Sequence, residues 1–238
     1  KVPRLPVMGE TMIGHSFHLG YGGKGANQAV MAAKLGAQVK MVTKLGRDVF
    51  GEGTLKNYRE QGIDTTWVLF DDTLSSGVAP IFVNDNAQNF IVIVPGANMG
   101  LSPVDARAAS DVILSADLLV CQLEIPIETT LEAFRVAKSG NVRTILNPAP
   151  AAALPDELLQ LADICAPNET ETELLTGLPV GTAGEAERAA RALSDVYPEA
   201  PFAWKALGLA LLLMGDAKGA AAPLQRAVAL KADDPEVF

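Results

Sequence analysis

Three glycines in four positions, Gly22-Gly23-Lys24-Gly25, constrain this chain more than any other stretch. Glycine costs backbone entropy inside a helix or strand, so a run this dense marks a turn that needs positive φ or close backbone approach. Ala26-Asn27-Gln28-Ala29-Val30-Met31-Ala32-Ala33-Lys34-Leu35 follows at once, a strong helix-forming run stopped by Gly36. A glycine turn that opens a helix presents unpaired backbone N–H groups at the positive end of the helix dipole. Lys24 adds a charge, and Asn27 adds a side chain that both donates and accepts hydrogen bonds. The combination suits a polyhydroxyl or phosphate-bearing ligand; on this stretch alone, a loop with a solvated lysine is the plainer alternative. The stretch is not a P-loop, because Gly25 and Ala26 follow Lys24 where that motif needs Ser or Thr, and its glycines do not have dinucleotide-fold spacing.

The surrounding segments alternate with the rhythm of an α/β fold. Val39-Lys40-Met41-Val42-Thr43-Lys44-Leu45 reads as a short strand, and residues 52–61 as a helix stopped at Gly62. Gly46-Arg47-Asp48 forms a tight turn between them, with Asp48 placed to cap the helix. Residues 12–19 alternate loosely and predict an exposed strand. Two apolar runs, 77–83 and 89–94, flank the turn residues Asn84-Asp85-Asn86-Ala87-Gln88, which is the pattern of a hairpin. It has too few polar positions for a free two-faced sheet, so one face is expected to cover a ligand or a second copy of the chain. Ser102 and Pro103 then start a helix that runs to Ser115. The apolar run 117–123 predicts a parallel strand buried on both faces. Glu124 stands just past its end, where open α/β sheets bind ligands, although a helix cap or solvated loop residue is the plainer role. A helix over 126–139, a strand over 142–146, a helix over 154–161 and a strand over 163–167 complete the alternation. Asn168-Glu169-Thr170-Glu171, taken alone, reads as an N-cap with an acidic first turn.

Composition narrows the class of function. A length of 238 residues fits one large domain or two small ones, and 49% hydrophobic residues can fill a substantial core. The net charge of −9 argues against a nucleic-acid partner, whose surface would be basic. No apolar run reaches the roughly 18 residues needed to span a bilayer, and no signal peptide is visible, so no membrane association and a cytoplasmic location are expected. Cys121 and Cys165 lack metal-type spacing and fall in expected strands, so they read as buried, inert thiols. His15 and His18 have no cluster of Cys or carboxylates around them and read as solvated positions rather than metal ligands.

Gly22-Gly23-Lys24-Gly25-Ala26-Asn27-Gln28, Pro95-Gly96-Ala97-Asn98, Gln122-Leu123-Glu124, Asn147-Pro148-Ala149-Pro150 and Asn168-Glu169-Thr170-Glu171 occur in that order. Together they resemble the signatures of the ribokinase/PfkB family of carbohydrate kinases, over residues 2–193. The resemblance implies a ribokinase-like α/β fold, a partly parallel sheet flanked by helices, with a small β lid made by the 12–19 strand and the hairpin. It implies ATP-dependent phosphorylation of D-ribose at its primary hydroxyl to give ribose 5-phosphate. Sugar contacts pass to Gly22, Gly23, Lys24, Gly25, Asn27 and Glu124, expected to meet in one site. Nucleotide contacts pass to Asn168 and Glu171, with Glu171 near Mg²⁺. A monovalent cation such as K⁺ is a further expectation, and so is a homodimer formed through the lid.

The family also uses a first strand bearing Asn and Asp, and a later Gly-Ala-Gly-Asp element that supplies the catalytic base and an anion hole. Neither is found in these 238 residues, so the fold is expected to be incomplete, no catalytic base is assigned, and the K⁺ site is expected in the missing part. The chain by itself is expected to be inactive. The composition changes after residues 194–200, which read as a junction containing Tyr197-Pro198. Trp204-x-x-Leu207-Gly208-x-x-Leu211, Ala220-x-x-x-Leu224 and Ala227 resemble the tetratricopeptide pattern, and Pro201-x-x-Trp204 recurs after that repeat's period as Pro235-x-x-Phe238. Residues 201–238 are therefore expected to form a helical hairpin that turns at Gly215-Asp216. The rival reading of the whole chain is a non-catalytic, truncated or fused protein that acts through this segment as a binding module with a protein partner.

Overall fold

In a computed structural model, residues 1–230 are described; the expected recurrence at Pro235-x-x-Phe238 lies outside them. The chain forms two compact units, Lys1–Leu101 and a second that begins at Ser102.

In the first unit, α1 (Lys24–Lys34), β1 (Lys40–Gly46), α2 (Val49–Glu60) and β2 (Asp64–Asp71) form an α/β layer in which β1 and β2 pair in parallel. Ala26, Ala29, Val30 and Ala33 of α1 recur at helical spacing and pack on Leu45, Tyr58, Ile63 and Val68. β3 (Ile81–Val83) and β4 (Asn89–Ile91) form an antiparallel hairpin in a sheet of its own, extended at its base by a bridge between Val78 and Val94. The hairpin is shorter than the apolar runs that predict it. Asn84 closes its turn by accepting from the N–H groups of Asn86 and Gln88.

Residues 12–19 correct the expected lid strand: they form no strand. Here the backbone bonds with Lys1 alone among the described residues, His15 N–H donating to Lys1 O at 2.9 Å and the Lys1 α-amino group to Ser16 O at 2.6 Å, which is too little to make a ladder. The N-terminal segment is instead tied down at single points. Val2 N–H donates to Val83 O at 3.0 Å, and His15 Nε2 lies 3.1 Å from Asp85 Oδ1. The loop at Pro95 leads into a short 3₁₀ turn over Gly96–Gly100.

In the second unit, β5 (Leu118–Cys121), β6 (Arg143–Leu146) and β7 (Ile164–Cys165) form a parallel sheet in sequence order. The expected helix over 102–115 is two, α3 (Pro103–Ala108) and α4 (Ser110–Leu114), broken at Ala109. Ser102 and Asp105 form a capping box at its start. The two-sided burial expected for β5 is also corrected: Leu118 and Val120 are 41% and 39% exposed. β5 is the edge strand of its three-stranded sheet, so an apolar run need not be covered on both faces. Next come α5 (Ile127–Ser139), α6 (Asp156–Gln160) and α7 (Glu169–Thr176). Phe134, Leu146, Leu158 and Leu159 are the fully buried centre of this unit.

α8 (Ala183–Val196), α9 (Pro201–Leu213) and α10 (Ala217–Leu230) pack side by side. The hairpin expected from residue 201 turns at Gly215, where φ is +83°. α9 reaches into the unit's centre: Phe202 and Ala203 belong to the same cluster as Phe134 and Leu146, as do Tyr197 and Ala200 from the expected junction. α8 and α10 have the same length and start 34 residues apart, at Ala183 and Ala217. Buried Ala189 and Leu193 on α8 are matched at that spacing by buried Pro223 and Ala227 on α10.

Candidate functional site

The glycine stretch stands where its chemistry predicts. Gly23 is the N-cap of α1, with φ 93° and ψ 141°, a conformation that only glycine adopts without strain. Lys24 and Gly25 form the first turn, half-buried, while Gly22, Gly23 and Asn27 are exposed. No side chain caps this helix end, and its first turn holds no acidic residue. A helix end with no side-chain cap presents its leading backbone N–H groups and the positive end of the helix dipole to whatever approaches it. The preceding residue, Tyr21, rests on α2: a Cβ on Gly53 would stand 3.5 Å from the Tyr21 ring.

α2 shows the opposite arrangement. Asp48 Oδ1 accepts from Phe50 N–H at 3.1 Å and Gly51 N–H at 2.8 Å, the helix cap expected from sequence. The same carboxylate also receives Ser76 N–H on Oδ2 at 2.7 Å and Ser76 Oγ–H on Oδ1 at 2.8 Å. These bonds, the one from Ser76 N–H foremost, hold the Asp48 carboxyl below its ordinary value. Sequence reasoning finds the cap and misses the contact to Ser76, which lies 28 positions away and has no local pattern to announce it.

In the second unit the polar loops gather at the C-terminal edge of the parallel sheet. Glu124 follows β5 and is half-buried. Asn147 follows β6 and bridges both neighbours: its N–H donates to Cys121 O at 2.9 Å and its Nδ2 to Ala166 O at 3.0 Å. Asn168 follows β7 as the N-cap of α7. Its Oδ1 accepts from Glu171 N–H at 2.9 Å, and its own N–H donates to Glu171 Oε2 at 2.8 Å. This is a complete capping box, and Glu171 is only 5% exposed. Burial pushes both Cys121 and Cys165 up to about 12, with the Glu171 charge adding to the effect on Cys165. Both are inert thiols at neutral pH.

Glu171 does not fit a direct Mg²⁺ ligand, because it is buried and one of its oxygens already accepts a backbone N–H. Among the described residues, no group of three or more His, Cys, Asp or Glu side chains could hold a metal. Nor is any helix among them long and apolar enough to cross a membrane.

Residues 1–201 match the family described as pfkB family carbohydrate kinase. A deoxyribokinase of Salmonella typhi is 46% identical over 193 residues, which is 81% of this chain and 63% of that protein. A ribokinase of Mus musculus is 44% identical over 193 residues, 81% of this chain and 60% of that protein. The chain thus spans about three fifths of the length of these curated relatives. A ribokinase structure from Arabidopsis thaliana, in complex with ribose and ATP, superposes with a TM-score of 0.77 at 24% identity. That superposition covers 96% of this chain and 86% of the other, and it bears on the fold: a ribokinase-like α/β architecture with parallel strands flanked by helices. The family match takes in the glycine turn, the α/β layer of the first unit and the parallel sheet of the second. This chain belongs to the pfkB family of carbohydrate kinases.

Proposed function

We propose that the chain carries the sugar-binding part of a pentose kinase of the ribokinase type. The substrate is D-ribose, phosphorylated at its primary hydroxyl at the expense of ATP to give ribose 5-phosphate. Sugar contacts are assigned to Gly22, Gly23, Lys24, Gly25 and Asn27, with Glu124 as a further ligand, and nucleotide contacts to Asn168. One observation carries the reading. The glycine-capped end of α1 has backbone N–H groups that no cap side chain takes, beside an amine and an amide. Sugar hydroxyls need donors and acceptors at fixed positions, and this helix end supplies both. The names of the relatives support a pentose, one a ribokinase and the other a deoxyribokinase.

Turnover is a separate matter. Phosphoryl transfer needs a base within hydrogen-bond reach of the attacking hydroxyl and donors aimed at the developing charge. These 238 residues hold no match to the element that supplies both in the family. Ribose-dependent ADP release by the chain alone is therefore expected to stay at background, against the roughly 1–100 per second typical of kinases in general.

Calorimetric titration of ribose and 2-deoxyribose into the full chain tests the sugar reading. Binding is expected, and Lys24→Ala or Asn27→Ala should weaken it about 10-fold or more, the loss of one charge-assisted or polar contact. Affinity unchanged in both variants would sink the assignment.

A second reading has a specific observation in its favour. The 34-residue offset of α8 and α10, with matching buried positions, is the period of a tetratricopeptide array. On that reading α8, α9 and α10 form one and a half repeats that act as a protein-binding segment.

A further inference from the structure

Within the first unit, the β3–β4 hairpin leaves the α/β layer at Ser76-Gly77 and returns at Pro95-Gly96. At that base the backbone runs too close for side chains. A Cβ on Gly96 would stand 2.1 Å from Ser75 O, and one on Gly77 would stand 2.9 Å from Pro95 O. The end of β1 and the start of α2 are as tight: a Cβ on Gly46 would meet Ser76 N at 2.3 Å, and one on Gly51 would meet Gly46 O at 2.1 Å. One side chain fastens these pieces together. The Asp48 carboxylate takes two N–H groups from α2 and both the N–H and the hydroxyl of Ser76. Ser76, 3% exposed, accepts in turn from Gly46 N–H at 3.1 Å.

The far side of the hairpin is tied to the segment that runs into the glycine turn. Val2 N–H donates to Val83 O, Asp85 N–H donates to Pro3 O at 3.4 Å, and His15 meets Asp85. That segment ends with Tyr21 against α2, whose cap is Asp48. The hairpin, α2 and the glycine turn thus share one frame, and Asp48 is where its parts are joined.

We propose that Asp48 is a positioning residue for the sugar site: its carboxylate fixes the hairpin base against β1 and α2 and thereby sets the hairpin's place relative to the glycine turn. The sugar role rests on the pentose-kinase reading above. The fastening itself does not.

Asp48→Asn separates this role from helix capping. Asparagine keeps an oxygen for Phe50 N–H and Gly51 N–H, and asparagine is as good an N-cap as aspartate. Its amide NH₂ then faces Ser76 N–H, donor against donor, so the hairpin contact is lost while the cap stays. Three measurements on the full chain decide the matter. Hydrogen exchange at Val78 and Val94, which bond each other across the hairpin base, should quicken about 10- to 100-fold, with the first turn of α2 unchanged. Nitroxides at Ala87→Cys and Lys34→Cys should give a distance distribution that is narrow in the parent chain and broad in the Asp48→Asn variant. Ribose affinity should fall about 10-fold. Ser76→Ala, which removes only the hydroxyl, should shift each measure in the same direction and by less.

Exchange confined to α2, or an unchanged hairpin with an unchanged distance distribution, would overturn the proposal. An altered hairpin with unaltered ribose affinity overturns the positioning role as well. If the parent chain binds no ribose, the pentose reading fails, and exchange with the distance measurement still judges the fastening.

Discussion

At the scale of single residues, the tightest statements concern glycines that no other residue can replace. Gly51 lies in the first turn of α2, where a Cβ would meet Gly46 O at 2.1 Å. Backbone cannot swing aside as a side chain can, so Gly51→Ala should destabilise the first unit by about 1–3 kcal/mol despite alanine's better helix propensity. Urea unfolding would register this as a lower midpoint with an unchanged slope. Gly22 has nothing within 4 Å of the same construction, so Gly22→Ala should leave stability unchanged. Its effect, if the pentose reading holds, should appear in ribose affinity alone. Asn168 shows why residue identity does not give residue role. The pairing of Asn168 with Glu171 was legible as a helix cap, and that is the geometry found. The same letters resemble a nucleotide-binding signature, and their capping bonds neither require nor supply a nucleotide. Asn168→Ala should cost about 0.5–2 kcal/mol through the lost cap, measured by thermal or urea unfolding.

At the scale of elements, what could be read depended on whether the reasons for an element were local. α1, α2, α5 and the β3–β4 turn carry their own stop signals, and each appears close to where the sequence puts it. Residues 12–19 alternate like a strand, but a strand exists only with a partner edge, and the partner was not in the pattern. The break at Ala109 was equally invisible, since alanine is the best helix former and nothing local interrupts the run. Contacts between distant positions were the least legible part of the candidate site: Asp48 to Ser76, and Asn147 to Ala166. The α9–α10 pair has a similar hidden constraint. A Cβ on Gly208 would meet Leu224 Cδ2 at 2.5 Å, where the two helices cross. Gly208→Ala should therefore loosen α10 from α9, by about 1–3 kcal/mol of overpacking, with the β5–β6–β7 sheet losing less protection. Residue-resolved hydrogen exchange distinguishes this from a general loss of stability.

At the scale of the whole molecule, acid should act through several carboxyl groups at once. Glu10 is held down to about 2, chiefly by its hydrogen bond from Arg4. Asp48, Asp64, Asp71 and Glu157 are also lowered, chiefly by bonds from Ser76 N–H, the Thr66 hydroxyl, Leu74 N–H and Arg135. A carboxyl with a depressed folded value adds stability that is fully present above its ordinary value of about 4 and is lost as pH falls through the folded one. The melting temperature should therefore be level from about pH 7 to pH 5 and drop between about pH 4 and pH 2. A melting temperature that rises on acidification would contradict these hydrogen bonds. Removing residues 201–238 should harm the second unit more than the loss of an appendage would, because Phe202 and Ala203 leave the cluster built on Phe134 and Leu146. Dye binding to exposed apolar surface and faster exchange in β6 are the expected signs. α8 has a consequence of another kind. Its Leu193 belongs to the cluster over the sheet, and its Ala190 belongs to the cluster with Leu207, Leu211 and Ala220. One helix thus serves two cores, that of the parallel sheet before it and that of the α9–α10 pair after it. Such a helix is a hinge-pin between two packings: the pair that follows Val196 is seated by the same turn of α8 that closes the sheet's own core.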